Sequence, residues 1–354
     1  MSETLLGLVS QYSPSGQERG AVEWLTAHMR TLGYEQSFVD EAGNAVGVMG
    51  GGPRQVILLG HIDTVPGEIP VALTPSPSPA GRGEILYGRG AVDAKGPLAC
   101  FVDAVAQVGA VAGWQFVVIG AVEEERDSQG ARFVANQYRP DFLIVGEPNR
   151  WDRIALGYKG AAWAEIRVRR AQNHTASGEE TAAEAAVEIW VAIRKMTEEF
   201  NTGKKRVFDQ ILPTLREIEA REEAFSQWAR LKVGARLPLE LPPEAWYARL
   251  RETFPEAEIA PVGYAIPAWA CEKNSPLVRA LLSGIRAEGG VPAFVYKSGS
   301  ADLNIVAPLW QCPALVYGPG DSALDHTPDE HIAISEYTKA VNVLTKSLKT
   351  LTEK

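Results

Sequence analysis

The spacing of apolar positions changes several times along the chain, and each change marks an element. Between residues 18 and 32, Ala21, Val22, Leu25 and Met29 recur at helical spacing and predict an amphipathic helix. Continuous apolar runs follow at Gln55 to Leu59, which closes on Gly60, at Trp114 to Val122, and at Asp141 to Val145. Runs this short and uniformly apolar suit strands buried on both faces. A helical stretch starts near Gly96, between the first two runs. Buried strands alternating with helices predict a mostly parallel sheet with helices on both sides.

The texture changes near residue 155. Ala164, Ile166 and Val168 alternate with Glu165, Arg167 and Arg169, the mark of a half-exposed strand in an antiparallel sheet. A helix is expected from Thr181 to Phe200, followed by a basic turn at Lys204-Lys205-Arg206. Residues 213 to 260 read as helical and charged, interrupted by the proline-rich stretch Pro238 to Pro243. The first texture returns from Trp269. Ser275-Pro276 opens a helix, Ala314 to Tyr317 is a short strand, and Ile334 to Leu351 is the closing helix. The prediction is an α/β, doubly wound domain in two parts, residues 1–153 and 268–354, with a smaller α+β domain inserted over 154–267.

Composition narrows the function. A chain of 354 residues suits two cores better than one. With 45% hydrophobic and 22% charged residues, it falls among ordinary globular proteins. A formal net charge of -9 argues against nucleic acid as a partner, because phosphate binding needs a basic face. Cys100, Cys271 and Cys312 are too few and too scattered for a disulfide framework or a cysteine zinc site. The Met-Ser-Glu-Thr start lacks the basic and apolar regions of a signal peptide, and no apolar run approaches the ~20 residues of a membrane span. A cytoplasmic protein with no membrane partner is expected.

The candidate chemistry lies where predicted strands end. In open α/β sheets ligands bind at the carboxyl ends of strands. Gly60-His61-Ile62-Asp63 follows the first run, and side chains two apart on an extended chain point the same way, so Asp63 can reach the back of the His61 ring. Asp93 stands just before the helix at Gly96. Glu123-Glu124-Glu125 follows the second run, Glu147-Pro148 the third, and His326 sits among turn residues after Ala314 to Tyr317. Taken singly, each has a plainer reading: Asp93 as a helix cap, the three glutamates as a solvated loop, His326 as a solvated histidine. Taken together, histidines and carboxylates at the strand ends of one sheet suit zinc or a similar ion, with an Asp able to bridge two of them.

The ordered motifs are HxD at His61, GRGxxDxKG from Gly88, the glutamate run, GEP at Gly146 and HTPDE at His326. With them the chain resembles the zinc aminoacylase and carboxypeptidase superfamily, which contains acetylornithine deacetylase, succinyl-diaminopimelate desuccinylase and glutamate carboxypeptidase. The resemblance implies two zinc ions per subunit, with cobalt able to substitute. His61, Asp93 and Glu147 would hold one ion; Asp93, Glu124 and His326 would hold the other. It further implies Glu123 as general base toward an attacking water, Asp63 as the partner of His61, and a cis peptide at Asp93-Ala94. The inserted domain would form a homodimer, and its His174 would serve catalysis in the partner subunit. Asn173 and Thr175 depart from the family's usual Gly-His-Ser around that histidine. Arg236 and the loop Lys297-Ser298-Gly299 would bind a substrate carboxylate.

Within the superfamily, Ala121 to Glu125, the short length and Tyr158-Lys159-Gly160 most resemble one group of hydrolases. These release lysine or ornithine from the γ-carboxyl of the C-terminal glutamate of a small acidic amino-group carrier protein, in lysine and arginine biosynthesis. Deacetylation or desuccinylation of a small acyl-amino acid is the alternative among enzymes. A metal-free ligand-binding relative is the alternative of another class. Arg167, Arg169, Arg170 and the Lys204 to Arg206 turn are candidate contacts for an acidic carrier.

Overall fold

The structure is a computed structural model describing residues 2–74 and 84–353. The elements that place the functional residues, in chain order, are α1 (Arg19–Thr31), β1 (Ala45–Met49), β2 (Arg54–His61), α2 (Lys95–Val108), β3 (Trp114–Ala121) and β4 (Phe142–Gly146). Next come β5 (Gly160–Ala171), α3 (Ala182–Asn201), β6 (Leu212–Glu222), β7 (Ser226–Leu237), α4 (Pro243–Thr253) and β8 (Glu258–Ile266). Then follow α5 (Pro276–Ala287), β9 (Ala314–Val316) and α6 (Ile334–Thr352). The chain divides into two compact units. One comprises Met1–Gly157, Cys271–Tyr296 and Ala301–Lys354; the other comprises Tyr158–Ala270 with Lys297–Ser300. The second unit starts and ends a few residues later than the insert expected from sequence.

The first unit is the α/β sheet that the apolar runs predict. Its central strands lie in the order β1-β3-β2-β4-β9. β2 is parallel to both β3 and β4, β9 is parallel to β4, and β1 is antiparallel to β3. β1 was not anticipated, since Ala45–Met49 is too short to stand out from the loops around it. Helix α1 buries Ala21, Val22, Leu25 and Met29, the face its spacing marked out.

One row of this sheet determines how closely a helix can approach. Gly60 pairs with Gly120 on one side and Gly146 on the other, so three adjacent strands lack a side chain at the same level. Helix α2 lies against that row through Leu98 and Phe101, both fully buried. A Cβ added at Gly146 would sit 2.8 Å from Phe101 Cε2, one at Gly120 3.1 Å from Leu98 Cδ2, and one at Gly60 3.3 Å from Leu98 Cβ. Burying the two side chains contributes roughly 1.5–3 kcal/mol each. The close seat also brings the segment before α2, which carries Asp93, to the strand ends.

The second unit is a four-stranded antiparallel sheet in the order β6-β7-β5-β8, with α3 and α4 on one face. Ala164, Ile166 and Val168 of β5 and Ala229, Leu231 and Val233 of β7 face Ile189 and Ile193 of α3 and Trp246 and Leu250 of α4. Helix α3 starts on a capping box in which Thr181 and Glu184 satisfy each other's backbone N–H groups, an arrangement worth about 1 kcal/mol.

Here the sequence reading needs correction: residues 213 to 237 form a β-hairpin, not a helix. Glutamate and arginine are good helix formers, and on β6 they hide the strand period. Cross-strand pairing reverses that preference. Glu219 faces Arg230, which faces Arg167, and Arg230 bonds Glu219 at 3.0 Å and Glu165 at 3.2 Å. The alternation of Ala229, Leu231 and Val233 on β7 was the legible signal. The basic residues weighed for a carrier are mostly committed locally. Arg167 pairs with Glu165, Arg170 with Glu180, Lys204 with Glu240 and Arg206 with Asp209. Among the described residues, no helix is long and apolar enough to cross a membrane.

The glycine row predicts a graded response to crowding. Gly146→Ala must displace the Phe101 ring and is expected to cost about 1–3 kcal/mol in urea unfolding. Gly60→Ala, with a looser contact, is expected to cost less. Equal losses would deny the row its role in seating α2.

Candidate metal centre

Three strand ends and two loops of the first unit bring the chemistry together. His61 is the last residue of β2, Glu147 directly follows β4, and the glutamate run leaves β3. Asp93 lies in the segment before α2, and His326 in the loop beyond β9. The ligand atoms of His61, Asp93 and Glu147 lie within 4.8 Å of one another, as do those of Asp93, Glu125 and His326. A third group within the same limit joins His61, Glu124 and Glu125. Asp93 sits between the two histidines, with Oδ1 3.2 Å from His61 Nε2 and Oδ2 3.0 Å from His326 Nε2. The Asp93-Ala94 peptide is cis, as the resemblance implied.

The glutamate run lies one residue out of the register expected. Glu125, rather than Glu124, meets His326, at 2.9 Å, and completes the set with Asp93. Glu123 turns away: its backbone is left-handed, with φ 61°, and its carboxylate pairs with Arg126 at 2.7 Å. Its carbonyl accepts the N–H groups of Arg126, Asp127 and Ser128, which fixes the turn. Three adjacent acids do not by themselves reveal their register. Arg126, three residues after Glu123, was the only hint that Glu123 is already paired.

Asp63 stands behind His61, the place expected of it, and does more besides. The His61 Nδ1–H donates to the Asp63 backbone carbonyl at 3.0 Å, while the Asp63 carboxylate stands 3.4 Å away. That carboxylate is fully buried and accepts the N–H groups of Glu124 at 3.0 Å and Glu125 at 3.1 Å, and the Ser15 hydroxyl at 2.6 Å. It therefore holds the acidic loop as well as the imidazole. A proton on Nδ1 leaves Nε2 facing Asp93, the tautomer a metal ligand requires.

The electrostatics are those of an acid-rich, desolvated pocket. Burial drives Glu124 and Glu147 well above the usual carboxylate range, and nearby Asp302 pushes both further. Asp302 is itself raised to about 7 by burial. Asp302 closes the Lys297 to Asp302 run that resembles a substrate loop, but nothing in the sequence gave it a role or a sign of burial beside these acids. Burial works against a charged His61, yet hydrogen bonds to Asp63 and Asp93 outweigh it and hold the ring well above its ordinary range. His326 is lifted to about 10 by Asp93 and Glu125. Burial also opposes the Asp93 anion, but the two imidazoles pull its carboxyl below the usual range. Protons on these groups supply positive charge that divalent ions would supply instead. Imidazole nitrogens and carboxylate oxygens sharing one aspartate fit a pair of borderline ions.

A family profile described as Peptidase family M20/M25/M40 matches residues 57–350. The chain belongs to that family. A LysW-lysine hydrolase of Deinococcus radiodurans is 42% identical over 99% of this chain and 96% of its own. A LysW-lysine/LysW-ornithine hydrolase of Sulfurisphaera tokodaii is 28% identical over 99% and 95%. Among solved structures, the M20 family metallo-carboxypeptidase of Sulfolobus solfataricus superposes with a TM-score of 0.76 at 18% identity, covering 100% of both chains. The M20 fold is thus shared from end to end, and membership implies a dinuclear metal site where the two ligand sets meet.

The other residues weighed from sequence lie in the second unit. His174 is on the exposed loop after β5, where its Nδ1 accepts the Ala176 N–H at 3.1 Å. Arg236, on β7, donates to the Ser300 hydroxyl at 2.9 Å, beside the Lys297-Ser298-Gly299 segment in the chain. None of these belongs to the ligand clusters found among the described residues.

Metal binding should release protons. His326 must give up the proton it holds up to about pH 10 before it can ligate. In the ion-free protein the same pairing stabilises the fold fully below pH 6.5 and is lost as pH climbs through 10. Zinc affinity, followed by chelator competition between pH 6 and 8, is expected to rise about tenfold per pH unit for each proton lost. A flat profile would contradict the charge balance described.

Proposed function

We propose that this protein is a two-zinc amide hydrolase that releases lysine or ornithine from LysW, at the γ-carboxyl of that carrier's C-terminal glutamate. The substrate reading rests on the Deinococcus radiodurans likeness, which runs over 99% of the chain. The reaction type rests on the two ligand sets sharing Asp93. Zinc suits the mixed imidazole and carboxylate donors, and cobalt can take its place.

When bound, two such ions polarise an amide carbonyl and make a water acidic enough to attack at neutral pH. His61, Asp93 and Glu147 would hold one, and Asp93, Glu125 and His326 the other. Among the described residues, Glu124 is the acid of the run that enters neither of those two sets and forms no ion pair; its carboxylate still lies beside His61 and Glu125, so we assign it the proton shuttle. Its carboxylate takes a proton from the attacking water and delivers it to the amide nitrogen as the C–N bond breaks, so that the group leaving is a neutral amine. Asp63 keeps Glu124 in place through the backbone N–H. Arg236 and the Lys297 to Gly299 segment are assigned to a substrate carboxylate, since a guanidinium and adjacent N–H groups suit that anion.

The protein acts as a homodimer in this reading. Val187 and Val191, one turn apart on α3, are 48% and 51% exposed, and β6 ends the sheet of the second unit with Ile218 50% exposed. An apolar helix stripe beside an open strand edge suits a second copy of the chain. His174 would then stabilise the oxyanion in the partner's site.

Glu124→Gln is expected to retain both ions and lose about 10²- to 10⁴-fold in kcat, whereas Glu123→Gln stays within a few-fold. The reverse ranking would return the shuttle to Glu123. His174→Ala should lower kcat about 10²- to 10³-fold with metal content unchanged; an unaltered kcat removes the trans role. The substrate is tested by amine release from LysW carrying γ-linked lysine or ornithine, beside acetylornithine and succinyl-diaminopimelate. Release from the small molecules alone would refute the carrier reading.

A further inference from the structure

Two of the ligands implied by the metal reading, Asp93 and His326, lie in irregular segments far apart in sequence. His61 and Glu147 ride at the ends of paired strands and need no further tether. His326 has a left-handed backbone, with φ 61°, in a loop outside any strand. What keeps it at 3.0 Å from Asp93 must come from elsewhere.

Glu330 supplies the connection. It follows His326 by one short loop and has no exposed surface. One carboxylate oxygen accepts two backbone N–H groups, from Val92 at 2.9 Å and from Asp93 itself at 3.0 Å. The other oxygen accepts Arg89 Nη1 at 2.8 Å. The Glu330 carbonyl accepts the Gly88 N–H at 3.3 Å, and Arg89 Nε donates to the Gly67 carbonyl at 2.8 Å. One buried side chain thus fastens the His326 loop along the Gly88 to Asp93 segment. A buried carboxylate satisfied by two N–H groups and a guanidinium is stiffly held, because every one of those bonds is charge-assisted.

We propose that Glu330 is a positioning residue that sets the separation of Asp93 and His326, and so governs occupancy of the ion site completed by Glu125. The ion site built on His61 and Glu147 depends on it less, since its other ligands are anchored in the sheet. This inference rests on the two-ion reading above. It goes beyond that reading in making the two sites unequal in their dependence on one remote side chain.

The test is a cobalt(II) titration followed by visible absorption and chelator competition, on the wild-type chain, Glu330→Gln and Arg89→Lys. The ion-free proteins are checked for folding by near-ultraviolet circular dichroism. Wild type is expected to bind two ions. Glu330→Gln keeps an oxygen for the N–H groups but loses the charge facing Arg89. It should weaken the second ion about tenfold while leaving the first within about twofold, the size of effect typical of groups behind metal ligands. Arg89→Lys removes the guanidinium fork and leaves Glu330 in place, so it should act in the same direction by a few-fold and serves if Glu330→Gln does not fold. Equal weakening of both ions, or of neither, in a folded variant overturns the positioning role. A wild-type chain that takes up no ion overturns the two-ion reading instead.

Discussion

More carboxylates than imidazoles crowd one buried corner of this molecule, and most of the first unit can be understood as the means of keeping them there. A desolvated carboxylate is expensive unless it is protonated, hydrogen-bonded or faced by positive charge. Glu124, Glu147 and Asp302 show that expense directly, since burial lifts each above the ordinary range. Asp93 escapes it because it lies between two imidazoles. An arrangement costly in the ion-free state is well suited to divalent cations, which would answer the acids of the two ligand sets.

Two acids that are not in the ligand sets organise the ones that are. Asp63 gathers the backbone N–H groups of Glu124 and Glu125, while Glu330 gathers those of Val92 and Asp93. In both cases a buried carboxylate spends its hydrogen-bonding capacity on the main chain next to a donor. The donor side chain is then left free to face the centre. The glycine row below does the equivalent work sterically, letting α2 seat on the strands so that the segment before it arrives at their carboxyl ends.

The second unit is governed by a different balance. Its buried face is an ordinary apolar contact between a sheet and two helices. Its open face is a ladder of glutamates and arginines in which most charges are answered across the strands. Arg167, Arg169, Arg221 and Arg230 gather on it around Glu219 and Trp228. An acidic partner would have to compete with the glutamates that already answer several of these cations.

The amino-acid sequence alone made legible the two-part architecture, the parallel core, and the strand ends where His61, Asp93, Glu147 and His326 stand as candidate ligands. Those features are local: a run of apolar residues, a helical spacing, a motif at a strand terminus. Tertiary structure alone decided which glutamate of the adjacent three faces His326, because that depends on one left-handed residue and its pairing with Arg126. It also decided that Glu217, Glu219 and Arg221 lie on a strand, because pairing with β7 outweighs the helix preference of charged residues. The positions of Asp302 and Glu330 were likewise settled only in three dimensions. A carboxylate buried by distant segments leaves no mark in the chain around it, since burial and hydrogen bonding come from residues that sequence order keeps apart.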